Sequence, residues 1–260
     1  MTCPAHCPAH CPAPLPPGRA VQAPLIAALI ATLLAACSGG PPVPDWQVAS
    51  VAHMRRHSQS WLAGHTRVAQ RALEQAREQA ASTGQPAQLA RVELTHCALQ
   101  VASLDFTDCP AFAPLLPDAP PAELAYARWI GGQPLAPEQI ALLPAAHRPL
   151  AAASAANVAT GAPLPDAAAL RAIADPTARL VAAGALMRRG QAGPAHIAIA
   201  ADTASAQGWR RPLLAWLGLQ QRQARQNGDT EETQRLERRI RLIAPAPAPE
   251  SQTPTPPAAP

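Results

Sequence analysis

The chain contains no lysine; all 21 of its basic residues are arginine. Against 17 acidic residues they leave a formal charge of +4, spread along the sequence rather than gathered into a stripe. That distribution argues against nucleic acid as a partner. The missing lysine fits a GC-rich genome and is no sign of phosphate recognition. Aromatic residues are scarce, at 3%. Val, Ile and Thr seldom alternate in period two, so no strand or β-hairpin is expected. There is no Gly-x-Ser-x-Gly elbow and no Gly-rich phosphate loop. Glu74, Glu78, Glu93 and Glu123 stand singly or as charges on helix surfaces, with Glu74 placed to pair with Arg71 and Arg77. No catalytic residue, metal or cofactor is expected on these grounds.

What remains is rich in Ala, Leu, Arg and Gln, broken by 32 prolines and 14 glycines. This is an all-α composition, in which small alanine faces let helices approach closely. Apolar residues recur at three- and four-residue steps from Trp46 to Ser82, which predicts one long helix that Gly64 bends. Gly84 ends it, and Pro86 opens a second helix that stops near Leu104. Residues 105–121 read as an irregular connection. Shorter helices are predicted over 122–130, 137–143, 145–159 and 166–174. Four longer ones follow, starting at Pro176, Pro194, Pro212 and Asp229 or Thr230, the last ending at Ile243. Residues 244–260 alternate Ala and Pro and read as a disordered tail.

The turns at Gly84, Gly190 and Gly228 each separate two amphipathic helices, and the last two lie 38 residues apart. This resembles tetratricopeptide helix-turn-helix packing, without the aromatic positions of that repeat. The fold expected is an array of antiparallel helical hairpins over 45–243, irregular in the middle.

An uncharged apolar stretch, Leu25–Ala36, follows Arg19 and ends at Leu34-Ala35-Ala36-Cys37, before Ser38-Gly39-Gly40. As a helix it would rise about 18 Å, too short for a bilayer core of about 30 Å but suited to a signal peptide. The four residues ending at Cys37 resemble the lipobox of bacterial lipoproteins. That resemblance implies removal of residues 1–36, lipid on Cys37, and a tether over 37–44. Ser38 in place of Asp implies sorting to the outer membrane, facing the periplasm. The run Cys3-Pro-Ala-His-Cys7-Pro-Ala-His-Cys11 lies upstream of the cut, or before a true start nearer Leu15 or Val21. Residues 203–216, from Thr203 to Trp216, also resemble lipoproteins of beta-proteobacteria, a likeness that implies no mechanism.

With four of the six cysteines removed or acylated, Cys97 and Cys109 remain. An exported protein is expected to pair them. His53 and His57 lie one turn apart, with His65 beyond, and could share a face. However, Met54-Arg55-Arg56 stands where a zinc hydrolase needs its glutamate. Trp209, Arg210 and Arg211 form a candidate partner surface of the aromatic–arginine kind. Two functions are therefore expected in order. The first is a lipid-anchored scaffold that binds another envelope protein and is not an enzyme. The second is an envelope hydrolase or metal-dependent enzyme using the His53/His57 region.

Overall fold

A computed structural model describes residues 43–160 and 164–244. Cys37, the leader before it, most of the tether and the tail beyond residue 244 lie outside the described residues. The described residues form an all-α fold without strands. Its helices are α1 (Asp45–Ala63), α2 (Thr66–Ala81), α3 (Pro86–Ala102), α4 (Pro121–Ile130), α5 (Pro137–Leu142), α6 (Arg148–Thr160), α7 (Ala167–Arg171), α8 (Pro176–Arg188), α9 (Pro194–Ala206), α10 (Arg210–Gln226) and α11 (Thr230–Ile243). A 3-10 turn, Ala113–Asp118, interrupts the connection expected to be irregular.

Local chemistry sets the helix starts. Proline opens α3, α4, α5, α8 and α9, where its missing N–H costs no hydrogen bond. Asp166, Asp175 and Asp229 cap α7, α8 and α11, each accepting from a backbone N–H of the first turn.

The single long helix expected over 46–82 is two helices. Gly64 adopts φ +88°, a left-handed conformation that a side chain would strain. Gly64 N donates to Trp61 O at 3.0 Å and His65 N to Ser60 O at 2.8 Å, which closes α1 and turns the chain back. Among the described residues no other pair of helices packs as extensively as α1 and α2.

From α8 onward each long helix packs on the next, as the hairpin-array reading requires. The array is nevertheless tied across the sequence, because α3 packs on α8 and α10 touches α1. Trp216 Nε1 donates to Ala102 O at 3.0 Å, joining α10 to the end of α3. The main core centres on Trp129 and Trp216, both 0% exposed, with Leu180 and Leu186 of α8 and Ile197 of α9. Helix α8 is buried continuously from Leu180 to Leu186. A Cβ at Gly184 would collide with the Val101 carbonyl oxygen, so glycine sets how closely α3 and α8 approach.

Cys97 and Cys109 form a disulfide, their Cα atoms 5.9 Å apart. It pins the loop after α3, where Leu104 takes a positive φ of 57°. Glu74 does not pair with Arg77, because the Arg77 guanidinium turns to Glu93 instead, at 2.6 and 2.7 Å. Glu93, expected on a surface, is 3% exposed.

Candidate functional site

Helix α3 turns Arg91 and Thr95 outward between its neighbours, and three cavities meet there. The largest, about 460 Å³, is lined by Arg91, Leu94 and Thr95 of α3, Glu123 and Tyr126 of α4, and Leu142, Leu143, Pro144 and Arg148 beyond. A second of about 280 Å³ runs toward α1 and is lined by Trp46, Ser50, Met54, Gln88, Arg91 and Thr95. A third of about 210 Å³ runs toward α8, past Thr95, Tyr126, His147 and Asp175. Thr95 belongs to all three, so they form one groove across α3.

The groove is apolar with a few fixed polar groups. Glu123 is 8% exposed, and its Oε1 accepts from Arg91 Nε at 2.6 Å. Its Oε2 has no hydrogen-bond partner. An unmatched buried carboxylate oxygen is costly and suits a donor brought by a ligand. Arg148 Nε donates to Leu143 O at 2.7 Å, which anchors the guanidinium at the rim.

Two groups that could transfer protons are set against it. Trp129 Nε1 donates to His147 Nδ1 at 2.7 Å, so that nitrogen carries no proton. Burial pushes the His147 pKa down to about 4, only partly opposed by Asp175. Tyr126, ring to edge against His147 at 5.8 Å, has its phenol pushed far above its usual value by burial. Both stay neutral at ordinary pH.

The histidines anticipated as a pair share α1 without bonding to each other. His57 is buried and joins His96, not His53. Its Nδ1 faces the Ala69 carbonyl at 2.9 Å, and a carbonyl only accepts, so Nδ1 carries the hydrogen. Nε2 then accepts from His96 Nδ1 at 3.1 Å. Both ring nitrogens of His57 are thus committed. Burial lowers the pKa of His57, and burial followed by the charge of His57 lowers that of His96 to about 4. His65 is exposed at the start of α2. Among the described residues no group of three or more His, Cys, Asp or Glu has a metal-holding arrangement.

Trp209, Arg210 and Arg211 are all half-buried rather than projecting. The Arg211 guanidinium lies 4.1 Å from the Trp61 ring centre. Its Nε donates to Trp61 O and its Nη2 to Thr66 Oγ1, each at 2.7 Å. This arginine latches α10 to the α1–α2 turn. Sequence reasoning missed Tyr126, His147, Arg148 and His96. Tyr126 carried a usable signal, being the single tyrosine in an aromatic-poor chain; the other three carried none.

Comparison with known proteins finds no matching family model, no matching curated protein and no matching solved structure.

Proposed function

We propose that the protein is an exported lipoprotein, held through Cys37 at the periplasmic face of the outer membrane, that works by binding a segment of another envelope protein. The observation that carries the binding role is the groove across α3. Its apolar walls, Leu94, Leu142 and Leu143, alternate with the Arg91–Glu123 pair and Arg148. That composition suits an extended peptide with apolar and acidic side chains, bound along a helical array. The Cys97–Cys109 disulfide supports export, since such bonds persist in oxidising compartments. The resemblance at Leu34–Cys37 supports the anchor.

Labelled palmitate should mark the wild type and not a Cys37→Ala variant. An unlabelled wild type that fractionates with the cytosol would refute the anchor. For the groove, a photo-cross-linking residue at Leu142 should give one discrete adduct in the envelope, lost when Arg148→Glu is added. Absence of any adduct from Leu142, Thr95 or Gln88 would refute the binding role.

A further inference from the structure

The α1–α2 hairpin has an outer face that meets the groove only at its edge, through Val51. Val48, Val51, Ala52, Arg55, Arg56 and Gln59 recur at i, i+3, i+4, i+7, i+8 and i+11, so they share one side of α1, and all six are exposed. Of the nine large apolar side chains that stand exposed among the described residues, three are here: Val48 and Val51 at 56 and 53%, and Val68 of α2 at 42%. The face is apolar at its N-terminal end and basic further along. On α2, Arg67 and Arg71 lie one turn apart, and with Arg56 of α1 they line a groove of about 220 Å³ floored by Val68 and Ala72. Among the described residues none of Arg55, Arg56, Arg67 and Arg71 has a carboxylate at ion-pair distance. Glu74, one turn beyond Arg71, accepts from the Gln70 amide at 3.1 Å. Three guanidinium groups from two helices therefore converge on one groove without an internal anion.

We infer that this face docks on an anionic phospholipid surface, with lipid phosphate held among Arg56, Arg67 and Arg71 and the valines at the headgroup–acyl boundary. The choice of a membrane rather than a protein rests on the proposed anchor at Cys37. Seven residues separate Cys37 from Asp45, and the eight steps between their Cα atoms span at most about 29 Å. Arg56 lies about 17 Å further along α1. Val48 and Val51 stand nearest the tether, while Val68 lies with Arg56, Arg67 and Arg71 one helix-half beyond, so a hairpin lying flat brings both groups into contact with the bilayer. Exposed valine beside arginine on one helix face is the pattern of an interfacial helix. Docking would also fix which way the α3 groove faces.

The test uses the full chain with Cys37→Ala, so that no acyl chain drives binding. Sedimentation with phosphatidylcholine vesicles is compared with sedimentation after 30% phosphatidylglycerol is added. The apolar leader contributes alike to both, and the difference reads the arginines. We expect roughly fivefold stronger partitioning per arginine, about a hundredfold for three, and its loss in molar salt. Arg56→Gln/Arg67→Gln/Arg71→Gln should abolish the difference. The triple variant Arg222→Gln/Arg238→Gln/Arg241→Gln, with the same charge change on α10 and α11, should retain it. Circular dichroism checks that both variants are folded. Equal loss in the two variants overturns the inference, as does no preference for phosphatidylglycerol. Inorganic phosphate binding that is lost in the first variant, without vesicle binding, also overturns it and makes the groove a site for a soluble anion. Failed palmitate labelling beside positive vesicle binding would remove the anchor and leave the docking face standing.

Discussion

Helix α8, in the centre, and the α1–α2 hairpin, at the edge, behave oppositely. From Leu180 to Leu186 every residue of α8 is buried. A helix surrounded on all sides needs no polar face, so its apolar period vanishes. The hairpin has its own small core of Leu73, Ala76 and Ala80 closed by Val92 of α3, and leaves arginines and valines outside. It joins the rest largely through side chains with polar ends. Arg77 reaches Glu93, Trp61 Nε1 donates to Leu99 O at 3.1 Å, and Arg211 reaches back from α10. Close backbone approach builds the frame, and polar latches hold the edge. The frame tolerates no added atom; the edge tolerates many surface changes but few losses of a latch.

A matched pair of glycine substitutions tests that contrast most severely. Gly184→Ala drives a methyl into the Val101 carbonyl and should cost about 3 kcal/mol or more, because α3 and α8 must separate. Gly218→Ala in α10 meets only the end of Arg222, at 4.0 Å, and should stabilise by about 0.5–1 kcal/mol through helix propensity. Denaturant midpoints read both. Equal effects would show that the α3–α8 crossing is packed no more tightly than the open side of α10.

Acid should attack the frame through His147. Its folded pKa, about 4, lies below the unfolded value of 6.5, so the unfolded chain binds the proton first. The stabilisation is complete above pH 6.5 and is lost as pH falls toward 4, up to about 3 kcal/mol in all. His147→Gln should flatten stability between pH 7 and 4.5. His96, at the hairpin, titrates in the same window, and His96→Gln should flatten it while leaving the amides of α8 and α9 protected from exchange. Next in size, reduction of Cys97–Cys109 should cost somewhat under 3 kcal/mol in the chain-entropy model, with α4 and the 3-10 turn loosened first. An unchanged melting temperature in reductant would show that the 105–121 loop is held by packing alone.

The helical class, the starts at Pro86, Pro137, Pro176 and Pro194, the caps at Asp175 and Asp229 and the Cys97–Cys109 pairing were legible in the sequence, since each depends on neighbours in the chain or on counting. Helix α10 instead starts at Arg210, ahead of the Pro212 expected to open it, and the first helix is preceded by Pro44 with no aspartate cap. The division at Gly64 was legible as a bend but not as a reversal. A turn and a kink leave the same glycine in the same periodicity, and only the packing of α1 on α2 decides between them. The site was much less legible. Arg91 and Glu123 are 32 residues apart, and His57 and His96 are 39 apart. No local pattern announces partners that a hairpin array brings together from separate helices. Glu93 and Glu123 read as surface charges because each stands alone in its helix, and burial became possible only with an arginine supplied from elsewhere. Arg211 read as a projecting charge for the converse reason, since its partners Trp61 and Thr66 lie some 150 residues away.

The Arg211 latch offers the finest cut between the two regions. Its guanidinium stacks on Trp61 and makes two side-chain hydrogen bonds, one to the Trp61 carbonyl that ends α1. Removing it at a half-exposed site should cost about 1–2 kcal/mol, the stacking giving up to about 1 and the hydrogen bonds the remainder. The loss should be local, because the groups it stacks on and bonds to, Trp61 and Thr66, lie in α1 and at the start of α2. Arg211→Ala should therefore speed amide exchange in α1 and α2 several-fold at constant temperature and leave Leu180–Leu186 unchanged. Arg211→Lys keeps the charge but loses the planar fork that holds carbonyl and hydroxyl together, and should recover less than half of the protection. If exchange rises equally in both regions, edge and frame unfold as one cooperative unit, and the hairpin cannot lie down on a surface independently of the groove it shares with α3.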